Sequence, residues 1–372
     1  MTAPRATRSR RPYPIALVMI VRDEERCLDR CLASVTDLVD EIVVVDTGST
    51  DRTVEIAQTH GAKVAKFAWV DDFAAARNFS LAQTTAPWRL TLDADQWLLD
   101  RETARTALDR LGRTRPTFFG MVELFEADKD GSIDERVAPL PHPRLLPSHA
   151  RYAGRVHEQP IPELPLQAVA IAVGHDGYTA EALARKEGRN LGLLVASLEG
   201  DPTNAYLWYQ LGSEHAARGR HQEALPALIQ AFNLTHPADE SVPAPPESMW
   251  WHRLTLRLIL ALIAVGQYEE ASALGDMEAD RWAGSAEIAY AHGRAQRALA
   301  LVLDESQNDR AERLIAASMS RWRQAVDLGA TTRYAGSFAE PADVLAARLL
   351  AEDYEVMGRR EEAARYRALA SR

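Results

Sequence analysis

Apolar and polar positions along this chain follow two different patterns. From Tyr13 to about Gly177, short unbroken apolar runs are separated by stretches with helical spacing. Ile15 to Val21 is a continuous β-rich run, and Glu24 to Val35 follows with the period of a helix. Glu41 to Asp46 (EIVVVD) is a second buried-strand run, leading through Gly48-Ser49-Thr50-Asp51 into a helix expected over Thr53 to Thr59. Lys63 to Phe67 predicts a third short strand, Asp71 to Gln83 a helix, and Trp88 to Leu92 a fourth strand that stops at Asp93. Strands apolar on both faces and separated by helices predict a mostly parallel, Rossmann-like α/β sheet covered on both sides. Ligands of such sheets bind beyond the carboxyl ends of the strands. The polar residues at those ends are therefore the ones to examine for chemistry.

From about Thr179 the strand patterns vanish and the chain becomes helical and alanine-rich. Gly219-Arg220-His221-Gln222-Glu223-Ala224, Gly266-Gln267-Tyr268-Glu269-Glu270-Ala271 and Gly358-Arg359-Arg360-Glu361-Glu362-Ala363 repeat one another, with a degenerate copy over Asn308 to Leu314. Trp208-x-x-Leu211-Gly212 precedes the first copy, and Ala224 and Ala231 hold small positions. This is the tetratricopeptide (TPR) pattern of paired helices, lengthened by inserted loops such as the Pro-rich Pro237 to Pro246. An all-α solenoid of about four hairpins is expected, which by itself predicts binding or pairing and no chemistry. The organisation expected is a disordered basic tail over 1–12, a catalytic domain over 13–180, a helical linker over 181–200 and the repeat domain over 201–372.

Composition narrows the function classes. The chain has 372 residues, 47% hydrophobic and 26% charged, enough for two domains with real cores. Its net charge of −10 argues against nucleic acid as a partner. The longest early apolar run, Ile15 to Val21, is too short to span a bilayer, and its flank carries no signal-peptide pattern. The only cysteines, Cys27 and Cys31, read as free core thiols in a reduced, cytoplasmic protein.

Asp93-Ala94-Asp95 directly follows the fourth strand. Two carboxylates one residue apart at the end of a buried strand suit a divalent cation that shares its oxygens with a diphosphate; an acidic turn capping the next helix is the plain alternative. Asp46 ends the second strand on the same sheet edge, and Gly48 after it frees the backbone to approach a ligand. Arg22-Asp23-Glu24 follows the first strand. Arg77-Asn78 lies on a helix from which a guanidinium can reach phosphate oxygens. Glu126-x-Asp128-x-Asp130-Gly131 mimics the start of an EF-hand loop but has Val137 where the bidentate Glu belongs, so a hairpin tip is expected there.

Ile42 to Thr53 (IVVVDTGSTDRT), Phe73 to Leu81 (FAAARNFSL), Leu92 to Gln96 (LDADQ) and Arg155 to Gln159 (RVHEQ), in this order, resemble the inverting glycosyltransferase family 2 with its nucleotide-diphospho-sugar-binding GT-A fold. The particular resemblance is to bacterial members with a TPR tail, including peptide S-glycosyltransferases of the sublancin type. The resemblance implies an inverting, metal-dependent transfer from a nucleoside diphosphate sugar such as a UDP-sugar, with Mn²⁺ or Mg²⁺ as cofactor. It places Arg22 and Glu24 at the donor nucleoside, Asp46 at its base or ribose, Arg77 near the diphosphate, Asp93 toward ribose and sugar, and Asp95 on the metal. Gly48 and Ala94 join the donor-binding stretches. Asp23 stands where the family usually has Asn, a mild change, and Gln96 where it usually has an acid, which predicts a slightly altered donor pocket.

Such a transfer needs a group to take the acceptor's proton. Glu158 falls in the family's region for it, with His157 as its neighbouring competitor. His175, in a His-x-Gly-Tyr segment near the diphosphate, is either a metal or phosphate ligand or a structural residue. The acceptor implied is a peptide or protein, and pairing of two chains through the repeats is expected, with Met249-Trp250-Trp251 as an exposed-patch candidate whose plain alternative is packing inside a hairpin. Three other readings stay open: a TPR scaffold with an inactive GT-A domain, a transferase acting on a polysaccharide, lipid or small molecule, and a sugar-1-phosphate nucleotidyltransferase. The last lacks its Gly-rich signature, since Ile15 to Glu25 contains no glycine.

Overall fold

The computed structural model describes residues 11–127, 131–133, 139–176, 180–236, 249–329, 338 and 340–371. They divide into two compact units, the first running to Leu193 and the second from Leu194.

The first unit is built on β1 (Ile15–Val21), α1 (Leu28–Val35), β2 (Glu41–Asp46), α2 (Thr53–Thr59), β3 (Lys63–Lys66), α3 (Phe73–Ala82), β4 (Trp88–Thr91), β5 (Gln96–Leu98) and α4 (Arg101–Leu111). It continues through β6 (Phe119–Glu126), β7 (Leu140–Pro147), β8 (Arg151–Ala153), β9 (Gln159–Ile161), β10 (Leu166–His175) and the start of α5 (Ala180–Gly200). Eight strands form one sheet in the order β3-β2-β1-β4-β7-β6-β10-β5. The half made of β3, β2, β1 and β4 is parallel, as the unbroken apolar runs predict. Beyond β4 the sheet becomes mixed, because β7 runs antiparallel to both β4 and β6, and β5 antiparallel to β10.

Alternation along β1 explains why that run is apolar throughout. Ile15, Leu17, Met19 and Val21 face a core shared with Leu28, Cys31 and Leu32 of α1 and Leu108 of α4. Ala16 and Val18 face a second core that includes Ala74 and Leu81 of α3. A strand covered on both faces has no polar side to show. Both cysteines are free and buried in the first of these cores. Arg11, expected in a disordered tail, instead anchors the chain: its guanidinium pairs with Asp40 at 3.1 Å and Asp109 at 2.6 Å. The tip of the EF-hand-like stretch falls partly outside the described residues; an antiparallel bridge joins Ala127 and Ile133 on either side of it.

The second unit is helical: α6 (Ala205–Ala216), α7 (His221–Thr235), α8 (Met249–Ala264), α9 (Tyr268–Glu278), α10 (Ala286–Val302), α11 (Asn308–Leu328), α12 (Ala342–Val356) and α13 (Arg360–Ala370). Consecutive helices pack as four hairpins. The repeat glycines Gly219, Gly266 and Gly358 all stand at left-handed φ of 71°, 81° and 71°, where a side chain is strained. They end the first helix of their hairpins, and the alanine five positions later is fully buried in each copy. The degenerate copy lacks that glycine, and a 3₁₀ turn over Glu305–Gln307, capped by Asp304, makes the joint. Trp251 is buried and Trp250 packs against the same core, so of the two readings of Met249-Trp250-Trp251 the packed one holds for both indoles, which fill the repeat core. The Pro-rich stretch 237–246 lies outside the described residues.

Candidate active site

Strand order brings the carboxyl ends of β2, β1 and β4 side by side. The loops after β1 and β2 are knitted together there. Asp23 Oδ1 accepts from the backbone N–H of Thr50 at 2.7 Å, Ser49 Oγ accepts from the N–H of Asp23 at 3.0 Å, and Thr53 Oγ1 accepts from the N–H of Glu24 at 2.7 Å. Ser49 and Thr50 are thus used between loops, and Asp51 supplies the hydrogen bond to Thr53 N–H at the start of α2. Asp46 is buried and its Oδ1 accepts from Ser49 N–H at 2.9 Å, holding a loop in which Gly48 sits at φ 113° with open space on its Cβ side. Arg22 is largely exposed, whereas Glu24 turns toward the Cys27 thiol at 3.2 Å. Burial pushes the Cys27 thiol far above its ordinary pKa, and the Glu24 carboxylate adds to this, so Cys27 is inert packing.

The Asp-x-Asp turn is built from its own neighbours. The N–H of Asp93 donates to Gln96 Oε1 at 3.1 Å, and the N–H of Gln96 donates back to the Asp93 carbonyl at 3.0 Å. Gln96, placed by the sequence at the donor pocket, is buried and braces the turn. Ala94 offers the cleft no side chain either, because its methyl is packed in the core.

Asp93 lies between two guanidinium groups. Arg77 Nη2 donates to Oδ1 at 2.9 Å and Arg144 Nη2 to Oδ2 at 2.8 Å. Arg77 also donates through Nε to Glu158, so one guanidinium links the Asp-x-Asp turn to the candidate base. The result is a row of alternating charge: Glu158, Arg77, Asp93, Arg144. Burial opposes the charge on Asp93, but Arg144 and Arg77 outweigh it and hold the carboxyl far below the usual range. Burial likewise opposes the charge on Arg77, and Asp93 and Glu158 more than offset it.

Glu158 and His157 sit in the loop that joins β8 and β9, an antiparallel ribbon. Two backbone positions in that loop are left-handed, Gly154 at φ 97° and His157 at φ 52°, the latter an unfavourable conformation for a residue with a side chain. Asn78, next to Arg77 on α3, clamps the ribbon: its amide donates to the Tyr152 carbonyl at 2.9 Å and accepts from the Tyr152 N–H at 2.8 Å. The Arg-Asn pair therefore divides its work, Arg77 reaching the carboxylates and Asn78 fixing β8, the strand from which the loop with Glu158 departs.

A second cluster forms around His175 at the end of β10. Its Nε2 stands 3.4 Å from Asp95 Oδ2 and its Nδ1 3.2 Å from Glu126 Oε2. Burial disfavours the charged imidazole, but Asp95 and Glu126 prevail, and its pKa is raised to about 9. Next to it, buried Asp176 pairs with Arg26 at 3.1 Å and Arg30 at 2.5 Å, tying the end of β10 to α1. Arg77, Asp93 and Glu158 thus come together, as do Asp95 and His175. Arg22, Glu24, Asp46 and Gly48 form a separate patch on the neighbouring loops. Two residues were missed from the sequence, Arg144 and Glu126. Arg144 sits in Pro-His-Pro-Arg, where prolines blur the strand pattern, and nothing local marks it.

Residues 16–122, which lie within the first unit, match the family model Glycosyl transferase family 2. The first unit therefore holds a domain of that family. The chain is 28% identical to the SPbeta prophage-derived glycosyltransferase SunS of Bacillus subtilis, over 58% of this chain and 52% of that protein. It is 56% identical over 85 residues to a TPR repeat-containing protein of Synechococcus elongatus, covering 23% of this chain and 21% of that one. Among solved structures, glucosyl-3-phosphoglycerate synthase from Mycobacterium tuberculosis, in complex with Mn²⁺, UDP and glucosyl-3-phosphoglycerate, is 25% identical over 31% of this chain and 44% of that chain, with a TM-score of 0.26. The chain spans about half, or less, of the length of these curated relatives.

Proposed function

We propose that this protein transfers a sugar, with inversion, from a nucleoside diphosphate sugar to a peptide or protein acceptor. The observation that carries the reading is Arg77, whose guanidinium contacts both Asp93 of the Asp-x-Asp turn and Glu158. A single cation thereby holds the turn assigned to the donor and the proton acceptor close together, and a transfer between two substrates gains from such fixed placement. The family 2 domain and the similarity to SunS support glycosyl transfer. Arg22, Glu24, Asp46 and Gly48 form the nucleoside side of the site, Asp93 faces ribose and sugar, and Ala94 contributes backbone only. Glu158 takes the acceptor proton, and His157 shapes its loop. The peptide acceptor is supported by the repeat unit, since helical solenoids offer extended binding faces. The buried free thiols support a reducing, cytoplasmic setting, and among the described residues no helix is long and apolar enough to cross a membrane.

The residues present fit a divalent cation. Among the described residues no group of three His, Cys, Asp or Glu side chains is arranged to hold a metal unaided. Mg²⁺ and Mn²⁺ commonly take only one or two protein ligands and complete their shell with phosphate oxygens and water. Asp95 Oδ2 and His175 Nε2, 3.4 Å apart, have the spacing of two ligands of one ion, roughly 3.0–3.5 Å. An imidazole in the set favours Mn²⁺ over Mg²⁺. When bound, the cation supplies charge neutralisation for the departing diphosphate.

The test is release of nucleoside diphosphate from a panel of sugar donors with Mn²⁺ present. One donor should support turnover, and both chelator and Asp95→Ala should abolish it while thermal unfolding stays within a few degrees. Full turnover in chelator would remove the metal from the reading.

A further inference from the structure

Glu126 lies just beyond residues 16–122, which match the family model, and its acidic neighbourhood reads from sequence as a hairpin tip. The sheet gives it a different place. β6 and β10 run parallel in a register that sets Glu126 directly beside His175, and the antiparallel pairing of β10 with β5 sets Gln96 on the other side. The N–H of Ala127 donates to the His175 carbonyl at 2.8 Å, closing this row at the sheet's end. His175 is thus fixed between Asp95, which precedes β5, and Glu126, which ends β6. Its two ring nitrogens are divided between them, Nε2 toward Asp95 and Nδ1 toward Glu126.

We propose that Glu126 is the positioning residue of the cation site: by accepting the Nδ1 proton of His175 it fixes the ring so that Nε2 is presented beside Asp95 as a ligand. The proposal rests on the reading of Asp95 and His175 as the cation's protein ligands. A histidine ligand is the more effective when its second nitrogen donates to a carboxylate, because the tautomer and ring angle are set in advance and the coordinating nitrogen becomes more basic. The need is acute here. With so few protein ligands, a freely rotating imidazole would lose much of the site's affinity. Gln96 acts on the same row from the other strand, holding the turn that carries Asp95 through Asp93 N–H. The two cation ligands are therefore each braced by a neighbour on the sheet.

The experiment is Mn²⁺ binding to the full chain in the presence of UDP, followed by the loss of the free-ion electron paramagnetic resonance signal. No turnover is needed. Glu126→Ala should weaken Mn²⁺ binding about 10- to 100-fold, and Glu126→Gln, which keeps an acceptor without the charge, should fall between it and the unmodified protein. His175→Ala serves as the reference and should weaken binding at least as much. If Glu126→Ala destabilises the fold, the Glu126→Gln titration decides alone. Affinity within twofold of the unmodified protein for both Glu126 variants, while His175→Ala weakens it, overturns the proposal and leaves the cation site standing. Unchanged affinity in His175→Ala overturns the assignment of the ligands, and this proposal with it.

Discussion

At the residue scale, the site is governed by how charges share partners. Arg77 and Asp93 are each bound on two sides, so the row from Glu158 to Arg144 is electrically balanced while most of its side-chain surface is withdrawn from water. Removing one member leaves a neighbour with an uncompensated buried charge, which costs about 3–5 kcal/mol where the charge is fully buried and less where a second partner remains. Glu158→Gln is the mildest change available to the row, because the amide can still accept from Arg77 and Arg77 keeps Asp93. It should leave donor affinity, measured as UDP binding with Mn²⁺, within about threefold, while turnover falls by roughly 10²–10⁴, the usual contribution of a positioned base. If His157→Ala removes turnover and Glu158→Gln keeps it, the base is the histidine. Arg144 shows what a sequence hides at this scale. Its pairing with Asp93 comes from antiparallel contact between β4 and β7, strands more than fifty residues apart. No short pattern records such a meeting.

At the element scale, legibility followed burial. The strands covered on both faces were readable because two cores demand an unbroken apolar run, and their carboxyl ends were readable because polarity returns there abruptly at Asp46 and Asp93. The mixed half was not: β6, β7 and β10 combine exposed with buried positions, and prolines interrupt β7. In the helical unit the hairpin turns were readable from Gly219, Gly266 and Gly358, but the buried histidines between the helices were not. His252 on α8 is buried with Nε2 2.7 Å from Ser285 Oγ, and His292 on α10 is buried with Nε2 3.2 Å from Asp276 Oδ1 and 3.0 Å from Gln296. Burial pushes both down to about 4, aided by Arg253 beside the first and by Arg321, against Asp276, beside the second. Their folded pKa lies below the ordinary value of about 6.5, so the stability they favour is fully present above that value. Between about 6.5 and 4 the unfolded chain takes up protons that the folded hairpins refuse, and stability falls as the pH falls. The urea midpoint of the helical unit should drop by an amount equivalent to a few kcal/mol between pH 7 and pH 4.5, and His252→Gln should flatten that slope. A midpoint that does not move over this range would show that the two rings gain protons without opening the hairpins.

At the scale of the whole molecule, chemistry and architecture are kept in separate units. Every residue assigned to donor, cation or base lies in the first unit, and each unit has hydrophobic cores of its own. The boundary falls inside α5, between Leu193 and Leu194. A chain ending at Gly200 keeps that helix whole and removes the four hairpins. The sheet, the loops after β1, β2 and β4, and the ribbon carrying Glu158 draw the contacts described above from within the first unit. The truncated chain should therefore bind UDP with Mn²⁺ at an affinity within about threefold of the full protein and release nucleoside diphosphate slowly to water. Transfer to a peptide acceptor should fall far more than donor binding, because an extended acceptor needs a longer surface than a single cleft offers and a helical solenoid provides one. The informative quantity is the ratio of acceptor transfer to donor hydrolysis, measured on the full and truncated chains after circular dichroism has shown the latter folded. A ratio that drops at least tenfold assigns the repeats to acceptor binding. An unchanged ratio in a folded truncation would place acceptor choice entirely in the first unit and leave the repeats to pair this chain with a second copy, a role that sedimentation of the full chain would then reveal.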